Sequence, residues 1–307
     1  MCFDFFAINK LSTNIMKKIG LLFLLISGFV FGQQSALEQK INSIVKDKKA
    51  TVGISVLGFE NDFKYGKNAD KKLPMQSVFK FHIAAAVLDD VDQGKLSLDQ
   101  KVLLNNTNLH ENTWSPLRDK YPQGNVEVPL SEILEYTVAK SDNNGCDILL
   151  TLIGGTKTVQ RFMNSKGVKG FQIKFNEAEM HKDWNAQYQN YSTPSSATDV
   201  LKKFYDGKLL SKKSTDYLMK VMLSTSTGKN KLIEQLPENT PVARKTGASG
   251  KNNAGLTGAE NEIAIVTLPN GKHYAIAVFV SNSTETSVIN CKMISDISKS
   301  VWDYFNK

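Results

Sequence analysis

The stretch that decides the fold runs from Asn261 to Asn282, NEIAIVTLPNGKHYAIAVFVSN. Two apolar, β-branched segments flank Asn270-Gly271. That pair marks a tight antiparallel hairpin, because the mirror-image turn needs positive φ, which Asn and Gly accept at little cost. Working outward, TPVARKTGAS (240–249) reads as a strand on the N-terminal side, and an amphipathic helix covers 286–305. The far end of the chain repeats the theme. SALEQKINSIVKDK (35–48) sets Leu37, Ile41 and Ile44 at helical spacing, ATVGISVLGF (50–59) alternates as a strand, and FKYGKNAD (63–70) is a second strand entering a turn. Ser77 to Asp90 is a helix rich in Ala and Phe, and from there to about residue 230 the chain is polar or helical without clear strand character. The class is therefore α/β (α+β): an antiparallel sheet flanked by terminal helices, with an inserted all-α domain. Residues 34–76 and 232–307 form the α/β part, 77–231 the mainly helical part, and the active cleft lies between them.

A 307-residue chain with 41% hydrophobic residues can bury a sizeable core. The net charge of +8 and pI near 9.1 admit nucleic acid in principle. The lysines, however, are scattered rather than gathered with aromatic partners into a stripe, so nucleic acid is excluded as a partner. The segment from Met16, MKKIGLLFLLISGFVFGQQS, has two lysines, an apolar run and a small, polar exit. It reads as a cleavable signal peptide over 1–33, with Met16 as an alternative start; the apolar run is roughly 13 residues against the about 20 that a membrane span needs. No Cys follows the run. The mature chain is expected to be periplasmic or secreted, without stable membrane insertion, and monomeric. Cleavage leaves Cys146 and Cys291, read as small buried apolar residues rather than as a disulfide.

Ser77-Val78-Phe79-Lys80 places a hydroxyl and an amine on one helix face. A serine is a poor nucleophile without a neighbouring base, and a lysine of depressed pKa can serve. The pattern also occurs at Ser43…Lys46 and Ser226…Lys229, and an isolated match is ordinarily a solvated surface pair. Company selects Ser77. Ser141-Asp142-Asn143 and Lys245-Thr246-Gly247 each occur once, in that order. They supply a second hydroxyl to pass a proton, a carboxamide to hold an amide, and a cationic strand edge for a carboxylate. Alone, the first would be a turn or cap and the second a strand ending at Gly.

With these motifs the chain, from about residue 35 onward, resembles the penicillin-recognising serine enzymes, and among them the class A β-lactamases, whose motif set this is. The resemblance implies Ser77 as acylated nucleophile, Lys80 as base or relay, and Ser141 as proton donor to the departing ring nitrogen. Asn143 would hold the substrate side-chain amide. Lys245, Thr246 and Gly247 would line the carboxylate site, and the N–H groups of Ser77 and Ala248 would form the oxyanion hole. No cofactor is implied, and the partners are small-molecule β-lactams.

Deacylation separates such an enzyme from cell-wall carboxypeptidases and transpeptidases and from β-lactam-sensing modules. NEAEMHKDWNAQYQNYSTP (176–194) fills the interval in which class A enzymes carry a water-activating glutamate, and Glu177 matches it in spacing to Thr193-Pro194 and to Lys245, with Glu179 as competitor. The family's usual Asn is His181 here, its usual Pro is Ala178, and Phe175 and Asn190 occupy the positions of an ion pair at the loop neck. Those departures resemble an extended-spectrum branch with a wide cleft, which implies hydrolysis of cephalosporins, including oxyimino types, and of penicillins. Lys231 stands where that branch often has a carboxylate-assisting arginine, and Trp114 matches an aromatic gate. His82, His110, His181 and His273 have no ligand spacing, so no metal is expected.

Overall fold

The computed structural model describes residues 34–61 and 63–306; the leader reading lies outside them. A first helix, α1, covers 34–45. It is followed by β1 (Thr51–Gly58), β2 (Lys64–Lys67), β3 (Leu73–Pro74), a 3₁₀ turn (Gln76–Val78), α2 (Phe79–Asp92), β4 (Lys101–Leu104), α3 (Pro116–Lys120), β5 (Val126–Pro129), α4 (Leu130–Ala139), α5 (Asn143–Leu152) and α6 (Thr156–Ser165). Then come β6 (Phe171–Gln172), α7 (Glu177–Lys182), a 3₁₀ segment (Trp184–Gln189), β7 (Tyr191–Ser192), α8 (Pro194–Tyr205), α9 (Lys212–Leu223), β8 (Val242–Ala248), β9 (Thr257–Thr267), β10 (His273–Ser283) and α10 (Ser287–Phe305).

The hairpin forms, but not through the mirror-image turn: Gly271 alone takes a positive φ (+77°), closing a longer loop in which Gly271 N–H donates to Leu268 O and Leu268 N–H to Lys272 O, and β9 and β10 pair from Thr267↔His273 outward. Strand β1, more than 200 residues earlier in sequence, adds antiparallel to β10 with Thr51 opposite Ser281, giving a five-stranded sheet of order β2-β1-β10-β9-β8. Because strand side chains alternate between faces, Ile54, Val56, Ile276, Val278 and Val266 pack on α1 and α10, while Ile263, Ile265, Ala275, Ala277 and Phe279 face the helical block. Both faces are covered, so these strands read as continuous apolar runs. Truncating a fully buried member such as Phe279 to Ala would cost about 3–5 kcal/mol.

Helix α2 is buried all round from Phe79 to Leu88, as a helix at the centre of a core must be. The structure corrects the reading of the middle block in two ways. The segment from Ser77 begins as a 3₁₀ turn and turns α-helical only at Phe79. Two small antiparallel sheets also involve it: β4-β5 lies wholly inside, and β6 and β7 join β3 from just before the block; their strands of two to four residues are too short to show alternation. Within the same block α8 packs against the main sheet, where the hydroxyls of Ser55 and Thr198 meet at 2.7 Å.

Candidate active site

Ser77 sits on the 3₁₀ turn that opens α2, and several contacts fix that turn. Gln76 holds φ +46°, Met75 N–H donates to Asn190 O, and the Asn261 carboxamide donates to the carbonyls of Pro74 (2.8 Å) and Met75 (3.2 Å). Strand β8 presses against it at Gly247, where an added Cβ would stand 2.5 Å from Met75 O. Only glycine permits that approach.

One turn further, the fully buried Lys80 ammonium is the hub. Its Nζ donates to Ser77 Oγ (2.7 Å), Asn143 Oδ1 (2.6 Å) and Ser141 O (3.2 Å), and pairs with Glu177 Oε1 at 2.6 Å. Ser77 Oγ in turn donates to Glu177 Oε1 at 3.4 Å. The competing Ser43 and Ser226 are exposed and donate to backbone carbonyls of Lys40 and Ala139.

Ser141 has φ +61°, in the left-handed region that a non-glycine residue enters only at a cost. Its neighbour is firmly held: the buried Asp142 caps α5 through Gly145 N–H and also accepts from Leu117 N–H and the Ser115 hydroxyl. Asn143, one residue on, donates to Thr113 Oγ1 while its oxygen faces Lys80. Across the cleft, Lys245 Nζ donates to Ser141 Oγ and to Thr246 O, both at 2.9 Å. Burial, helped by the charges of Lys80 and Lys231, holds the Lys245 ammonium well below the usual lysine pKa. Thr246 Oγ1 lies 2.6 Å from Thr227 Oγ1.

The loop after β6 separates the two candidate glutamates. Asn176 and Glu179 form a capping box, each side chain accepting the other's backbone N–H at 2.8 Å. Glu179 is thereby turned to the helix end, and Glu177, two residues earlier, reaches Lys80. Asp147 on α5 accepts from the N–H groups of Glu177 and Ala178. Its carboxyl is pushed up to about 6, chiefly by burial against the lowering effect of those two bonds. At the loop neck, the fully buried Asn190 accepts from Lys174 and Phe175 N–H and donates to Phe175 O, a neutral bridge between the two sides.

Ser77, Ser141, Asn143, Glu177, Lys231, Thr246, Gly247, Ala248 and Trp114 all line one cleft of about 460 Å³. Trp114 is exposed at its rim, with Nε1 donating to Lys140 O. Lys231 lies on the opposite wall, paired with Glu260 at 2.6 Å. His181 lines a neighbouring cavity of about 320 Å³ that shares Asn143 and Glu177 with the cleft. Cys146 and Cys291 are buried free thiols. Sequence reasoning missed Asp147, Asn261 and Glu260. Only Asp147 offered a signal, standing four residues after Asn143 on the same helix face.

Residues 36–305 match the model of the β-lactamase enzyme family. The chain is 48% identical to β-lactamase VEB-1 of Pseudomonas aeruginosa, over 89% of this chain and 91% of that protein. The TLA-3 extended-spectrum β-lactamase is 52% identical and superposes with a TM-score of 0.88, covering 89% of this chain and 99% of that one. A representative class A β-lactamase from Bacteroides cellulosilyticus DSM 14838 is 41% identical with a TM-score of 0.85, covering 89% and 98%. With the motif residues gathered into one cleft and the match spanning nearly all the described residues, the chain belongs to the β-lactamase enzyme family, in its class A extended-spectrum group.

Proposed function

We propose that the chain hydrolyses β-lactam antibiotics, including bulky oxyimino cephalosporins, through an acyl-enzyme on Ser77, and so confers resistance. The observation that carries this reading is the placement of Glu177 Oε1 at 2.6 Å from Lys80 Nζ and 3.4 Å from Ser77 Oγ. One carboxylate thus stands within reach of both the nucleophile and a water beside its ester. In acylation Ser77 Oγ attacks the ring carbonyl and gives its proton to Lys80, which acts as base or relay and passes a proton on toward Ser141, so Glu177 stays a carboxylate. The N–H groups of Ser77 and Ala248 receive the developing oxyanion, each such donor being worth about 3 kcal/mol. The ring C–N bond breaks as Ser141, whose oxygen accepts from Lys245, gives its proton to the nitrogen. In deacylation Glu177 takes a proton from a water that attacks the ester carbonyl, and as the C–O bond to Ser77 breaks that proton is returned to Ser77 Oγ, regenerating the hydroxyl and the carboxylate.

Asn143 holds the substrate amide and Lys245, Thr246 and Gly247 its carboxylate, with Lys231, ion-paired to Glu260, bordering that end of the cleft. Trp114 covers the rim and His181 borders the water side. The sheet with its terminal helices (34–76 and 232–307) and the helical part (77–231) form the two walls, and the site is complete within one chain, which supports a monomer. The leader at 1–33 delivers the mature enzyme to the periplasm or beyond. Steady-state hydrolysis of a chromogenic cephalosporin, with protein mass followed in the same sample, tests the reading. Sustained turnover with a transient adduct is expected; a single burst ending in a stable adduct would instead mean a carboxypeptidase-like or sensing protein.

A further inference from the structure

The wall of the cleft formed by β8 and β9 holds three cations, and their partners are unequal. Arg244 is buried against Glu262 at 2.6 Å and donates to the carbonyls of Thr225 and Thr227. Lys231 is buried against Glu260 at 2.6 Å, with Asn261 O and Gly247 O at 3.3 and 3.5 Å. Lys245 has hydroxyl and carbonyl partners but no carboxylate among the described residues. Two of the three charges are therefore matched within the protein, and one remains for a ligand.

From this count we infer that Glu260 is a specificity-determining residue: by neutralising Lys231 it leaves Lys245 as the one cation offered to substrate, which restricts that end of the cleft to a single carboxylate. The inference rests on the assignment of Lys245 and Thr246 to the substrate carboxylate made above. Lys231, Glu260, Ser287 and Cys291 line the cleft together with Thr246 and Ala248. In a cephalosporin the carbon next to the carboxylate-bearing one carries the second variable substituent, so that substituent lies beside the carboxylate. A second negative charge there meets no unpaired cation. The surrounding groups do not change the count: the Ser287 hydroxyl donates to Glu260 Oε2 at 3.4 Å, and the Cys291 thiol, raised by burial, stays neutral. Coulomb energies fall slowly with distance in a partly desolvated site, so unmasking one charge several ångströms away changes affinity by about tenfold.

The test uses two cephalosporins with the same acylamino side chain, one with a neutral and one with a carboxylate-bearing substituent at the second variable position. The readout is the ratio of their second-order rates of adduct formation on Ser77, measured by mass, together with KM where turnover occurs. Glu260→Gln should raise the anionic-to-neutral ratio about tenfold. The mirror variant Lys231→Met should lower it, and the double variant should return it to the wild-type value, since removing a buried pair together is commonly tolerated. An unchanged ratio in both single variants, or a shift that the double variant fails to reverse, overturns the role of Glu260. The underlying assignment fails separately: Lys245→Met, which also loses the bond to Ser141, would then slow acylation by the neutral cephalosporin and by its carboxylate methyl ester equally, whatever the Glu260 variants do.

Discussion

Asp147 accepts the first two backbone N–H groups of the helix that carries Glu177, Glu177 N at 2.8 Å and Ala178 N at 3.0 Å. Asn in its place offers one acceptor and turns an NH₂ toward the other amide. Asp147→Asn should therefore slow deacylation by about 10–100-fold while acylation changes by less than about threefold, as a displacement near 1 Å would. Single-turnover kinetics that resolve the two steps check this, and equal losses in both would point to general loosening of the fold.

The same carboxyl shapes stability against pH. Its folded pKa is about 6 against an ordinary 3.8. Between these values the folded chain keeps a proton that the unfolded chain has released, so the contribution of Asp147 to stability is full at low pH and declines as pH rises through that window. Asp147→Asn should remove this slope, read as the difference between wild-type and variant melting temperatures at pH 4 and pH 7.

Asn190 bridges the loop neck with three backbone hydrogen bonds from a fully buried position. Asn190→Ala leaves those groups unpaired and should cost about 2–4 kcal/mol, lowering the melting temperature by roughly 5–12 °C. Asn190→Asp should not rescue it, because the donor to Phe175 O is lost. A variant melting within 2 °C of wild type, a threshold of about 0.5–1 kcal/mol, would show that the neck is held by other contacts.

His82, on α2, is fully buried and stacked on Phe171 at 4.4 Å, and neither ring nitrogen has a hydrogen-bond partner of good geometry. Burial drives its pKa down to about 3, against a weaker pull from the Val78 backbone. Below the ordinary 6.5 the unfolded chain takes up a proton that the folded chain refuses, so stability falls with decreasing pH until about 3. His82→Leu should remove that loss, gaining about 2 kcal/mol on wild type between pH 7 and pH 5, or roughly 4–8 °C in melting temperature. The sign opposes that of Asp147, so each variant isolates its own group. Parallel acid profiles for wild type and His82→Leu would contradict the assignment.

Where sequence reading succeeded, it did so because local chemistry forces local structure. Asn270-Gly271 between apolar runs permits little but a hairpin, and Ser77 and Lys80 meet because a helical turn brings them together. Glu177 could be chosen over Glu179 only by register with Thr193-Pro194 and Lys245; the physical reason, that Glu179 is consumed in capping, appears only in three dimensions. The positive φ of Ser141 stands beside Asp142, on which three donors converge, one local (Gly145 N–H) and two from the distant 115–117 segment. Glu260 was invisible for the same reason: alternating strand residues look alike until α10 and the 227–231 loop close over them. The small sheets of the middle block escaped because a two-residue strand has no period to detect.

The central claim is that Glu177 activates the water that frees Ser77. It is tested most directly by mixing Glu177→Ala with a cephalosporin and following protein mass together with released product. The account predicts that Ser77 is acylated to one equivalent and that the adduct persists, with turnover reduced by about 10²–10⁴-fold. A variant that turned over near the wild-type rate, without accumulating adduct, would contradict it.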